Sequence, residues 1–306
     1  MDWNDLQYFL ALARLGSVRA AGSSLGVSHS TVARRVEALE EKLCARLFDR
    51  NRDGYVMTAA GHEMLPRAER VEVEMAALER GLVGKDERLS GTVSLTCCDN
   101  YVSRIVLHEL RSLCQTYPDI ELTLISDSRP FDLSKREADI AIRILAKDTQ
   151  PPEHLIGTKL VPLTLCNYVA REHAERLDAD REDTQARWVS FDTRKIHESL
   201  IASCSYPDIP PWGTYSSVEL MTLAVVEGYG IGMLPTYAAD VTPELRRLKN
   251  SDLRHVADLW LLSHPDLRDN ARLGAVRAAL LQGFRSQRAL FCGELGENAA
   301  AIQANE

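Results

Sequence analysis

Nothing in this sequence reads as a membrane span or a secretory leader. Its first fifteen residues are broken by Asp2, Asp5 and Arg14, and no later apolar run reaches the length that a bilayer demands. A cytoplasmic protein with no membrane partner is expected. Metal-site patterns are missing as well. The seven cysteines, Cys44, Cys97, Cys98, Cys114, Cys166, Cys204 and Cys292, include no C-x-x-C and no Cys/His spacing of a zinc site. No metal and no resident cofactor are expected, and an odd count in a cytosolic chain reads as reduced thiols. Cys44 and Cys114 should pack as small apolar residues on helices. Gly228, Gly230 and Gly232 lack the G-x-G-x-x-G spacing and precede a strand, which removes a nucleotide fingerprint. Positive charge is in short supply, and a net charge of −8 opposes indiscriminate binding to nucleic acid.

What is present is an ordinary globular composition, 45% hydrophobic and 26% charged over 306 residues, enough for two domains. The basic residues are unevenly placed. Arg19, Arg34, Arg35, Arg46, Arg50 and Arg52 gather in one N-terminal segment, a local footprint suited to salt-sensitive, site-specific DNA binding. Within it Val32, Val36, Leu39 and Leu43 recur at helical spacing, leaving the opposite face to His29, Ser30, Thr31, Arg34 and Arg35. Ser28 stands at the N-cap, so the positive end of this helix lies beside the same polar residues and attracts phosphate. Upstream, Ser17 is placed to cap a short helix, Val18 to Leu25, and Gly26 to end it. The small residues Ala20, Ala21 and Gly22 allow close helix approach. Helix, Gly turn, helix is the helix-turn-helix layout, whose second helix enters the major groove. Phe48-Asp49-Arg50 and Tyr55-Val56-Met57 flank Asn51-Arg52-Asp53-Gly54, which predicts a hairpin wing carrying Arg50 and Arg52 to the sugar-phosphate backbone.

Together Ala20-Ala21, Leu25, Val27-Ser28, Val32, Leu39-Glu40, Leu47-Phe48, Arg50 and Met57-Thr58-Ala59-Ala60-Gly61 resemble the winged N-terminal domain of the LysR-type transcriptional regulators. His29 and Ala33 stand where that family usually has Gln and Ser, which alters the base contacts. Trp3, Leu6, Phe9, Leu10 and Ala13 form an opening helix that covers the helix-turn-helix core. After the wing, Thr58 can cap a long helix in which Met64, Ala68, Val71, Met75, Leu78 and Leu82 follow a 3.5-residue period. This predicts a two-helix dimer seam, the alternative being packing on its own domain; Pro66 bends the helix. Pairing presents two reading helices to inverted half-sites of an operator.

Lys85-Asp86-Glu87-Arg88 and Ser90-Gly91 end the periodicity, and from Thr92 strands alternate with helices, pointing to a mostly parallel sheet covered on both faces. Strands are expected at Val93 to Cys97, Ile120 to Ile125, Asp139 to Ile144 after a short helix, Leu163 to Val169, Trp188 to Phe191, Thr214 to Ser217 and Leu259 to Ser263. Helices are expected at Val102 to Tyr117, near Ile196 to Cys204, at Val218 to Glu227 and at Asn270 to Arg285. Residues 117–122, 138–143 and 228–235 resemble further LysR landmarks. Arg136 replaces a customary Gly. The resemblance implies an α+α/β chain: a winged helix-turn-helix at 1–60, a linker and dimerisation helix at 61–90, and a two-lobed effector domain at 91–292 like a periplasmic binding protein. Lobe I is expected at 91–162 and 264–292, lobe II at 163–263, with hinge crossings at 162–164 and 262–265. The tail, 293–306, should be disordered. Self-association as a dimer or a dimer of dimers follows from the resemblance, with RNA polymerase a further partner expected of a regulator.

A small-molecule effector is expected at strand ends where helix starts converge. These are Cys97-Cys98-Asp99-Asn100, Ser190-Phe191-Asp192-Thr193 and Ser216-Ser217, whose hydroxyls and N–H groups suit a carboxylate. Arg143 is placed to pair with an anion or to form a surface salt bridge. Asp99 either caps the following helix or marks a ligand with an amine or hydroxyls. Cys97 should face the core and Cys98 the cleft beside a helix start, where a thiolate is favoured; Cys98 is then a redox sensor or a small packing residue. The other functional class is an enzyme using Cys98 as nucleophile with His108 or His197 as base, which no local Cys/His signature supports.

Overall fold

The structure, a computed structural model, describes residues 2–51, 54–83, 89–127, 138–191 and 199–296, with side chains of the helix ending at Val83 described as far as Met75. Arg52, Asp53, the side chains of Leu78 and Leu82, 85–88, Arg136 and the short helix before Asp139 lie outside what is described, as do Asp192, Thr193, Ile196, His197 and 297–306. The chain divides into two compact units, Met1–Leu82 and Val83–Glu306.

The first unit consists of α1 (Trp3–Leu15), α2 (Val18–Leu25), α3 (His29–Leu43), a hairpin of β1 (Phe48–Asn51) and β2 (Gly54–Met57), and α4 (Ala59–Val83). A reciprocal capping box between Asp2 and Asp5 starts α1, and Gly16 ends it in the left-handed region. Ser17 occupies the N-cap of α2 but makes no side-chain cap bond; the start is held by the main chain, Ala21 N–H donating to the Ser17 carbonyl at 2.9 Å. The turn needs Gly22, because a Cβ there would meet the Val27 carbonyl at 2.8 Å. Val32, Val36 and Leu39 are buried against Phe9, Leu10 and Ala21, whereas Leu43, the fourth position of the stripe, is 38% exposed. Cys44 is also exposed and caps α3 at φ 50°, so it is a helix terminator instead of a packing residue.

The landmark residues act as clasps. Glu40 Oε1 accepts from the Leu47 and Phe48 N–H groups at 2.6 and 3.0 Å. Thr58 Oγ1 donates to the Arg46 carbonyl at 2.6 Å and accepts from Gly61 N–H at 3.1 Å, and a Cβ on Gly61 would collide with the Leu47 carbonyl. These bonds fix the wing between α3 and α4.

Part of the expected dimer seam is used within the unit. Ala68 is 2% exposed in the winged core and Met64 packs against that core, so the first turns of α4 bury this side of the helix within the unit. Val71, at 41% exposure, is outward-facing. Arg14 of α1 grips Glu72 through two bonds of 3.0 and 2.6 Å.

The second unit runs β3 (Gly91–Cys97), α5 (Asn100–Thr116), β4 (Ile120–Ser126), β5 (Ile140–Ala146), β6 (Ile156–Ala170), α6 (Ala174–Leu177), β7 (Trp188–Phe191), β8 (Pro211–Tyr215), α7 (Val218–Val226), β9 (Ile231–Pro235), α8 (Thr236–Ala239), β10 (Leu245–Arg247), β11 (Arg254–Ser263), α9 (Ala271–Ser286) and α10 (Arg288–Phe291). The sheet order is β4-β3-β5-β11-β6-β9-β7-β8, with β10 on β6. Lobe I has parallel β3, β4 and β5, lobe II has parallel β7, β8 and β9, and antiparallel β6 and β11 join them.

The two crossings follow from register. β6 pairs with β11 up to Leu165 and with β9 from Leu165 onward, so its change of partner falls at Leu165, just beyond the expected 162–164. The return crossing is not at 262–265. Ala257 to Ser263 is laddered to β5 and belongs with lobe I, and the register shift between His255 and Ala257 marks the change. Val93, Leu95, Ile140, Ile142 and Leu261 form the core that carries the cleft-side strand ends. Each such side chain contributes about 1.5–3 kcal/mol by leaving water. The tail is ordered further than expected: Gly293 accepts a 2.8 Å bond from Arg247 and Leu295 packs on the core.

Candidate nucleic-acid interface and effector cleft

The start of α3 is built by Ser28. Its Oγ accepts from Thr31 N–H at 3.2 Å and lies 2.9 and 2.8 Å from the Ser30 and Thr31 hydroxyls, forming a compact hydroxyl cluster at the positive helix end. Ser28, His29, Ser30 and Arg34 are exposed and Thr31 is half-buried, as are Arg19 and Arg50 exposed on α2 and the wing. Arg50 is held over the Tyr55 ring at 5.4 Å.

Arg35 also reaches back to α1: its Nη1 lies 3.7 Å from Asp5 and its guanidinium sits 5.8 Å from the Tyr8 ring centre, while 43% of its side chain stays exposed. Asp5 is fully buried and takes Lys42 at 2.7 Å, which holds its carboxyl below the usual range against the opposing effect of burial. In the sequence Asp5 was visible only as an interruption of an apolar run.

In the second unit a cleft of about 620 Å³ opens between the lobes. It collects Cys98, Asp99, Asn100 and Arg143 from lobe I and Phe191, Ser216 and Ser217 from lobe II. Of the expected residues Ser190 is absent from the lining; it is 6% exposed, on the inward side of β7. Ser126, Asp127, Ile144, Val218, Glu219 and Leu220 complete the wall. The strand-end rule that selected Cys98 would have found Ser126 and Asp127 if applied to β4.

Asp99 resolves in favour of capping. Oδ1 accepts from Val102 N–H at 2.8 Å, while Oδ2 accepts from the Tyr237 hydroxyl at 2.6 Å. Burial raises its pKa in spite of those two bonds. Arg143 turns along the sheet, donating to Thr96 Oγ1 at 2.6 Å and the Ile142 carbonyl at 2.9 Å. Ser217 caps α7 through Leu220 N–H at 3.2 Å. The start of α5 is not open to a carboxylate, since Glu219 of the other lobe accepts from Asn100 N–H at 2.6 Å.

Cys97 is buried, and burial pushes its thiol up to about 12. Cys98 reaches the cleft as expected, but burial and then the Asp99 charge raise its thiol well above the ordinary value, and Sγ donates to Asp99 at 3.5 Å. The expected thiolate is therefore disfavoured: desolvation and a neighbouring carboxylate outweigh the helix start.

With this geometry in view, comparison with known proteins is decisive. Residues 3–62 match the family described as bacterial regulatory helix-turn-helix protein, lysR family, and residues 86–285 match the LysR substrate binding domain. The chain belongs to the LysR family. It is 28% identical over 246 residues to the HTH-type transcriptional regulator CrgA of Neisseria meningitidis serogroup C, covering 77% of this chain and 80% of CrgA. It is 25% identical to CbbR of Xanthobacter flavus, covering 84% and 80%. In fold it is similar to the Vibrio cholerae virulence activator AphB, with a TM-score of 0.59 at 18% identity over 94% of this chain and 100% of that one. The CrgA structure aligns with a TM-score of 0.53 at 23% identity, covering 93% and 99%. This LysR-family chain is thus a DNA-binding transcriptional regulator with a substrate-binding domain, and among the described residues no helix is long and apolar enough to cross a membrane.

Proposed function

We propose that this regulator reads an operator through the first turn of α3 and the wing, and that a small polar effector in the interlobe cleft sets its activity. Arg19, Ser28, His29, Ser30, Thr31, Arg34 and Arg50 form the DNA contact, with Arg52 completing the wing; Arg35 supports α3 from behind. Two copies pair through α4 beyond Ala68, from Val71 and Met75 to Leu78 and Leu82, and two dimers can associate further. Inverted half-sites then match the two-fold axis.

The observation that carries the effector reading is the cleft of about 620 Å³, lined from both lobes. A ligand there contacts β3, β4 and β5 ends on one side and the α7 start on the other, so its binding energy differs between open and closed lobes. The volume suits a small metabolite. A catalytic role for Cys98 is disfavoured by its raised thiol pKa, and His108 lines a different cavity.

The test is a mobility-shift and footprinting experiment on the DNA upstream of its own gene, with and without candidate metabolites. A discrete, competitor-resistant complex whose footprint changes with ligand is expected. Failure to form a discrete complex at about micromolar protein defeats the operator reading. A ligand response that survives filling the cleft by Ser217→Trp defeats the cleft.

A further inference from the structure

We propose that a second binding site, for a small phosphorylated molecule, lies behind the cleft where α5 meets α8 and the end of α9. A separate cavity of about 330 Å³ opens there. Arg104, His108 and Arg111 line it from α5 at spacings of four and three, which places all three on one helical face. Tyr101 and Gln287 add neutral donors, and the Tyr237 side chain, whose hydroxyl is committed to Asp99, adds wall. The lining contains no carboxylate, in a chain whose net charge is −8. Among the described residues no carboxylate forms an ion pair with Arg104 or Arg111, although neighbouring like charges on one helix face repel. Two guanidiniums, an imidazole, a phenol and an amide lining one hollow match the several acceptor oxygens of a phosphate monoester. Ile105, Leu107 and Val241 leave an apolar wall for the organic part.

This site is physically joined to the cleft. Tyr237 lines the rear cavity, and its hydroxyl donates at 2.6 Å to Asp99, which lines the cleft and caps α5. A ligand that shifts Tyr237 therefore acts on the same helix end that the cleft uses.

The experiment is calorimetric titration of the full-length protein with phenyl phosphate, with phenol and inorganic phosphate as the two halves of the probe. Saturable binding of phenyl phosphate, tighter than either half, is expected. Arg104→Gln with Arg111→Gln should weaken it about tenfold or more, with the helical circular dichroism spectrum unchanged; Arg104→Gln alone gives a smaller loss if the pair impairs folding. Ser217→Ala, in the cleft, should leave the affinity as it was. The proposal is overturned by absence of saturable binding, by equal affinity in the arginine variants, by phenol binding as well as phenyl phosphate, or by a loss confined to Ser217→Ala.

Discussion

Arg34 and Arg35 are neighbours of the same chemistry with different surroundings. Arg34 is exposed on α3, while Arg35 is drawn to Asp5 at 3.7 Å and to the Tyr8 ring. An arginine that makes a bidentate contact to a guanine edge carries about 1–3 kcal/mol of discrimination, which is roughly 5- to 150-fold in affinity. Arg34→Ala should therefore weaken operator binding by that range and flatten the difference between the operator and a duplex altered at the contacted base. Arg35→Ala removes a brace shared with Lys42, so it should lower the unfolding temperature of the winged unit and leave base preference intact. Fluorescence anisotropy on the operator and single-base variants, at one fixed salt concentration, separates the two. An Arg34→Ala protein that binds normally, beside a folded Arg35→Ala protein that has lost sequence preference, would refute the assignment.

Asp99→Ala removes a helix cap worth about 1 kcal/mol and strands the buried Tyr237 hydroxyl at about 1–3 kcal/mol, so urea unfolding should shift by about 2–4 kcal/mol less whatever relief follows from losing a buried charge. Asp99→Asn keeps an acceptor for Val102 N–H and should cost less; equal losses would count against the capping role. Cys44→Gly should raise thermal stability by up to about 1 kcal/mol, because glycine adopts the left-handed conformation found at φ 50° without a Cβ penalty. A lowered midpoint would show that the thiol contributes packing. The Asp5 carboxyl is depressed by Lys42, so its contribution is complete above the ordinary Asp value near 4 and is lost as pH falls through its lower folded value. Asp5→Asn should therefore flatten the acid limb of the stability profile of the winged unit, and an unaltered acid limb would contradict it.

The reading helix, the wing and the alternation of the second unit were legible because periodicity and turn residues are local signals. Ser28 as a cap and Gly26 as a stop needed only their neighbours. Seven of the eight expected cleft residues line the cavity for a comparable reason, since ends of parallel strands converge by topology. The failures are contacts between distant segments. Nothing near Arg35 announced that Asp5, thirty positions earlier, would stand 3.7 Å from its guanidinium. Ala68 looked like a seam residue because a heptad repeat does not say which surface it faces, and the core of its own unit takes it. The return crossing was misplaced because the strand pattern through 254–263 is continuous, and only the ladder to β5 assigns Ala257 onward to lobe I. Glu219 was passed over as an ordinary acid in a helix's first turn, its bond to Asn100 spanning 119 positions.

The forked contact between Arg14 and Glu72 has a mechanical result. It ties the opening helix to the fourth turn of α4, while Ala68, one turn earlier, is buried in the core of the same unit. Both contacts lie within the winged unit, so they hold α4 to α1 independently of the main-chain connection through the wing. Cutting that fork with Glu72→Gln should lower the melting temperature of the winged unit while leaving the exposed first turn of α3 as it is.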